Sequence, residues 1–440
     1  MSTIKKIRKT ASYAFLCAGS IALLASCNND DMIAETRTNT ITIENVLDAK
    51  PLVESGTFMG TGTFMGKGTP PVIFPGQSIS IEFYAGAGQA LSFATMYGWS
   101  NDLFFAPENP GINLYSSDGT PLTGDVSTQI KLWDNGTRIN QSPGMQVTHP
   151  GAAELAPNNI SEINGKDAQG NSYLPASQLM KATLAYQGDS RFKLTIENKS
   201  GGTPNETPFS PGVWTVSYAP GGDILDKMPI YTKGQHAANG LTNIAEMGDN
   251  TVMDRYLHGM TGIFTPLSPV LVVVYKGDEN PFYKTGEKDR SEGLSNLAQT
   301  GNADILASKL TTKPGVKKVY VLKQSTSTVL LPRIGNAEGG KVMQQLDIEK
   351  GDRIAIATMY GLSNDWFYAT KGNGIDATRK GDVSDELSLY DNGTKKDQYP
   401  GANIRIDLSG MPLGESEPIQ EVPNPNVFST LPQIVKVTLN

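Results

Sequence analysis

The stretch ATMYGWSNDLFFA, residues 94–106, returns as ATMYGLSNDWFYA at residues 357–369, with 10 of 13 positions identical. A match of that length marks an internal duplication, which has to be recognised before any single element is assigned. Downstream, GDVSTQIKLWDNGT at residues 124–137 matches GDVSDELSLYDNGT at residues 381–394 at 9 of 14 positions. The same motifs therefore recur in the same order. Towards the edges, Thr42, Ile43, Glu44 and Asn45 echo Thr195, Ile196, Glu197 and Asn198, and Lys181, Ala182, Thr183 and Leu184 echo Lys436, Val437, Thr438 and Leu439. Read linearly, this gives one copy over residues 40–187 and a second over residues 192–440.

A smaller duplication lies inside the second copy. Ser210, Pro211, Val213 and Trp214 open an apolar run that leads to GLTNIAEMGD at residues 240–249; Ser268 and Pro269 open VLVVVYKG, which leads to GLSNLAQTGN at residues 293–302. These are two strand-plus-helix units, at residues 210–250 and 268–310, with one of them free to pack on the first copy. Apolar residues alternate at residues 78–83 and 192–196, the period of a half-buried strand, while Leu271 to Tyr275 read as a strand buried on both faces. Leu241, Ile244, Ala245 and Met247 share one face of a short helix, as do Leu294, Leu297 and Ala298, each followed by glycine. The 46 glycines and 27 prolines suit many short strands joined by turns. The expected fold is all-β, two antiparallel β-sandwich domains with a few short helices. The glycine-rich residues 56–69 read as a loop or hairpin.

Lys5, Lys6, Arg8 and Lys9 precede an apolar run from Tyr13 to Ala25, the order of a secretory signal and too short to span a bilayer. Leu24, Ala25, Ser26 and Cys27 resemble the lipobox of bacterial lipoproteins. Residues 1–26 are thus expected to be a lipoprotein signal peptide, Cys27 the acylated anchor and residues 27–39 a tether. The expected location is the cell envelope, on the outer membrane; Asn28, Asn29, Asp30 and Asp31 resemble a surface-export tag. The only other cysteine, Cys17, lies in the leader, so no internal disulfide is available to the mature chain. Of 37 basic side chains, four belong to the leader; 33 against 44 acidic leaves a net charge of −11, which disfavours nucleic acid as a partner.

Asp102 ends the SND turn and Asp134 opens the DNGT turn; Asp365 and Asp391 repeat them. Hard cations need six to eight oxygens, which converging loop carboxylates, carbonyls and water can supply. Asp and Asn before Gly also make tight turns without any metal, and spacing alone favours the turn. The whole pattern, ATMYGWSND or ATMYGLSNDWF followed by GDV and then WDNGT or YDNGT, resembles the spondin N-terminal domain family. That resemblance covers nearly all of residues 192–440 and the first copy mainly from Ser78 to Leu184. It implies a C2-like sandwich, an extracellular adhesion role, and calcium held by Asp102 with Asp134 and by Asp365 with Asp391. The family's third acid, four residues after the second, is replaced by Arg138 and Lys395. Asp397 is a candidate substitute, and its counterpart Asn140 is uncharged.

Asp125 and Asp382 read as turn residues, Trp133 and Tyr390 as core aromatics, and Trp99 as core packing, with a loop-borne contact to a partner as the alternative. An enzyme needs a nucleophile with its base, a carboxylate pair or a catalytic metal. His149, His236 and His258 do not recur between copies or stand at ligand spacing, and GxSxG is absent. The expectation is a non-enzymatic, membrane-anchored binding or adhesion protein, possessing Ca²⁺ as its cofactor and an extracellular glycan or protein as its partner. The alternatives are a structural subunit of a surface assembly and a glycan-active enzyme.

Overall fold

Alternation of apolar and polar residues decides which face of each strand is buried, and the sheets follow from it. The computed structural model describes residues 37–62, 71–403, 413–422 and 434–440. Cys27, the leader, most of the tether and residues 63–70 of the glycine-rich stretch lie outside the described residues. Within them the strands form two four-stranded and two seven-stranded sheets, paired into two β-sandwiches.

The first sandwich stacks a sheet ordered Ser78–Tyr84, Arg191–Asn198, Met180–Gly188, Gly124–Asp125 on one ordered Leu52–Phe58, Phe209–Ser217, Ala90–Tyr97, Leu103–Pro107, Ile130–Asp134, Ser161–Glu162. Ile81, Phe83, Phe192 and Leu194 from the smaller sheet interlock with Phe93, Phe105, Leu132 and Val216 from the larger. The large sheet is apolar on its outer face too. There Ala94, Phe104, Trp133 and Val213 are covered by Leu241, Ile244, Met253 and Leu257 of the helices Leu241–Met247 and Thr251–Met260. Cover on both faces explains why every residue of Ala90–Tyr97 and Phe209–Ser217 is buried, without alternation. Pro211 is tolerated within a central strand because the register breaks between Phe209 and Gly212.

The second sandwich repeats this plan. Its large sheet runs Val316–Leu322, Val270–Tyr275, Arg353–Met359, Trp366–Thr370, Leu387–Asp391, Gln420–Glu421, and the helices Leu294–Thr300 and Asp304–Leu310 cover its outer face. Its small sheet is ordered Lys341–Ile348, Arg37–Asn45, Val435–Leu439, Gly381–Asp382. Gly248 and Gly301 end the equivalent helices at φ 65° and 72°, left-handed values that cost glycine nothing.

The sheets do not follow the linear boundaries at residues 40, 187 and 192. Strand Arg37–Asn45 belongs to the second sandwich, where Ile43 faces Val342 on one side and Val437 on the other. Residues 191–260 belong to the first sandwich, including the first strand-plus-helix unit; the second unit packs on the second sandwich. The reason lies in the two TIEN strands. Each is a central strand beside its KxTL partner, with Glu197 opposite Lys181 and Glu44 opposite Lys436. In the first sandwich TIEN arrives from the preceding hairpin, whereas the second sandwich takes its copy from the front of the chain. Sequence similarity identifies the strand but not the sheet that needs it.

Both sandwiches lie in one compact unit, Thr36–Asn440. Among the described residues no helix is long and apolar enough to cross a membrane.

Candidate metal centre

The SND and DNGT turns meet because their strands are paired. Leu103 lies opposite Asp134, and Trp366 lies opposite Asp391. Each SND turn is closed by its serine. Ser363 Oγ donates to the Tyr360 carbonyl at 2.8 Å and accepts from Trp366 N at 3.0 Å; Ser100 does the same with Tyr97 and Leu103 at 2.7 and 3.0 Å. The DNGT turn is an Asx turn, in which Asp391 Oδ1 accepts Gly393 N at 2.8 Å and Asp134 Oδ1 accepts Gly136 N at 2.7 Å. Gly393 has φ 65°, and a Cβ there would lie 2.4 Å from the Glu417 carbonyl oxygen, so this position requires glycine.

Asp365 is fully buried. Its Oδ2 accepts three hydrogen bonds, from Thr394 N and Oγ1 at 2.7 Å each and from Lys395 N at 2.9 Å. Asp102 Oδ2 repeats all three with Thr137 and Arg138, at 2.7, 3.0 and 2.9 Å. The other oxygen of each, Oδ1, is buried without a hydrogen-bond partner. An unpartnered buried carboxylate oxygen is costly unless a cation compensates it.

At the second site Asp397 joins Asp365 and Asp391, and one carboxylate oxygen from each lies within 4.8 Å of the others. Asp397 also accepts Trp366 Nε1 at 2.6 Å. Burial pushes the Asp391 carboxyl up to about 7, assisted by the charges of Asp397 and Asp365 and opposed by the Gly393 hydrogen bond. Burial raises Asp365 as well, against the three donors on its Oδ2. Asn364 and Asn392, the neighbours of Asp365 and Asp391 in sequence, also each have a buried side-chain oxygen without a partner. An all-oxygen set of this kind, open at its Asp397 edge, fits Ca²⁺, with water completing the shell.

The first site differs where the sequence differs. Asn140 replaces Asp397 and donates Nδ2 to Asp134 Oδ2 at 2.7 Å, occupying an oxygen that a cation would use. Arg138 turns to the helix and pairs with Glu246 at 2.7 Å, and Glu246 Oε1 lies 2.7 Å from Thr137 Oγ1, competing with Asp102 Oδ2 for its single hydroxyl proton. Burial, then the nearby Asp134 charge, pushes Asp102 up to about 7. In the second sandwich Gln299, at the position of Glu246, donates instead to Thr394 Oγ1 at 2.9 Å. The helix contact to DNGT was not anticipated from sequence; the signal was the recurrence of the helix itself. The structure thus brings Asp102 near Asp134, and Asp365 near Asp391 and Asp397, in separate sandwiches.

Asp125 and Asp382 are turn residues, each accepting the backbone N–H and hydroxyl of the serine two residues on. Trp133 and Tyr390 are core aromatics. A groove of about 910 Å³ between the sandwiches passes Ser363 and Asn364, lined by Leu225, Phe264, Leu331 and Ile334, and among the described residues no charged side chain lines it.

No family model matches the chain, and no curated protein matches it.

Proposed function

We propose that this chain is an envelope binding protein of the spondin-like kind, tethered through an acylated Cys27, whose second sandwich holds one Ca²⁺ at Asp365, Asp391 and Asp397. The observation that carries the reading is the convergence of three carboxylates beside an unpartnered, buried Asp365 Oδ1. The resemblance of the SND and DNGT motifs to spondin N-terminal domains supports an adhesive role towards an extracellular glycan or protein. In this reading the cation cross-links two turns and rigidifies the loops at that end, so the surface is presented in one shape.

The reading gives Asp365 and Asp102 no catalytic role. Asp365 and Asp102 are fully buried, with one oxygen immobilised by three donors, which leaves neither able to approach a substrate as acid or base.

Calorimetric titration of the protein with CaCl₂ tests the reading, with Asp365→Asn and Asp391→Asn as variants and MgCl₂ as competitor. One calcium bound per chain and lost in both variants supports the site. Absence of binding in the unaltered protein overturns it.

A further inference from the structure

Residues on either side of Asp397 grip the other sandwich. Lys396 Nζ pairs with Asp189 at 3.0 Å. The Tyr399 ring stacks on Tyr84 with centroids 4.9 Å apart, and the Gly401 carbonyl accepts Gln89 Nε2 at 2.6 Å. Ala402 is fully buried as a member of the first sandwich's core. Close approach is required here, since a Cβ on Gly401 would lie 2.3 Å from the Tyr218 ring.

The other side of this segment is tied to the turn that carries Asp365. Lys396 O accepts Asn364 Nδ2 at 2.7 Å, Gly401 N donates to Leu362 O at 2.9 Å, and Asn403 Nδ2 donates to Ser363 O at 3.2 Å. The segment has no helix or strand of its own. Its position depends on these ties and on where Asp397 rests.

The first repeat shows that the grip is not a general property of the motif. Gly144 N donates to Trp99 O at 3.0 Å, as Gly401 does to Leu362, so the loop returns to its turn in the same way. Yet Met145, at the position of Ala402, is 63% exposed. Among the described residues, the loop is seated on another sandwich in the second repeat and not in the first.

We propose that cation binding at Asp365, Asp391 and Asp397 locks the joint between the two sandwiches, making this site a control on the rigidity of the whole molecule. The proposal rests on the calcium reading. Without a cation, three carboxylates this close repel, and Asp397, the exposed one of the three, moves outwards against its single hydrogen bond from Trp366. Its displacement carries Lys396 and Tyr399 away from Asp189 and Tyr84. A bound cation draws Asp397 in and seats the segment. Coupling of this kind is reciprocal, so a weakened joint must weaken cation binding.

The test uses the full chain with CaCl₂ or with EDTA, reading amide hydrogen exchange at residues 84–89 of the first sandwich, which contain no proposed ligand. Calorimetry on the same samples reports binding independently. The expected result is slower exchange at residues 84–89 with calcium. Tyr399→Ala should abolish that slowing and weaken calcium binding about five-fold or more, while calcium still slows exchange around Asp365. Calcium binding with unchanged exchange at residues 84–89 overturns the joint and leaves the site standing. Lack of binding in the unaltered chain overturns both.

Discussion

Asp397→Asn makes the second site resemble the first, and the first repeat shows what should follow. There the amide of Asn140 donates to Asp134 at 2.7 Å. In the variant, the new amide can donate to Asp391 in the same way, while its carbonyl keeps the Trp366 hydrogen bond. Without metal, one charge is removed from a cluster of three within 4.8 Å. The gain, a hydrogen bond to a charged group at a partly open edge, should be about 1 kcal/mol, or roughly 2–4 °C in Tm for a sandwich of this size. With calcium the sign reverses. At a free concentration about a hundred times Kd, calcium should stabilise the unaltered protein by about 2.7 kcal/mol, or roughly 5–10 °C, and the variant by far less. The assay is thermal unfolding followed by circular dichroism, in EDTA and in CaCl₂. A variant destabilised equally in both conditions would refute the reasoning, because Asp397 would then act only through its Trp366 hydrogen bond.

Three further outcomes are expected. Asn140→Asp should cost stability in EDTA and raise the calorimetric stoichiometry from one calcium to two; unchanged stoichiometry would show that Arg138 alone closes the first site. The metal-free protein should lose stability as pH rises from about 4 to about 7. Asp102 and Asp391 have folded pKa values raised to about 7, so the folded state retains protons that the unfolded chain has released across that window. Calcium should offset the Asp391 part of the decline, and a Tm in EDTA that climbs between pH 5 and pH 8 would contradict this. Ile43→Ala, at a fully buried position, should destabilise the second sandwich by about 2–5 kcal/mol. Hydrogen exchange should then accelerate in Val435–Leu439 before Arg191–Asn198; the reverse order would contradict the assignment of the first strand to the second sandwich.

The two turns of each site were legible in the sequence because Asp, Asn and Gly at these spacings have local geometric consequences. The Asx turns, the helices ended by glycine and the doubly buried strand Val270–Tyr275 all follow from residues near in sequence. Asp397 was legible only as a candidate, since its meeting with Asp365 depends on a loop with no periodicity. The Arg138–Glu246 pair joins residues 108 apart. Nothing local specifies it.

By itself the sequence determined the repeat, the β-sandwich class, the short helices and which aspartates belong to equivalent turns. These depend on side-chain period and turn chemistry, which act over a few residues. Only the tertiary structure decided that strand Arg37–Asn45 completes the second sandwich, that the first strand-plus-helix unit covers the first, and that the loop carrying Asp397 reaches from the second sandwich onto the first. Each of those depends on which unsatisfied edge or exposed apolar face lies within reach once the chain has folded. Two copies of one motif offer the same edge pattern, so their strands cannot be allotted from sequence similarity alone.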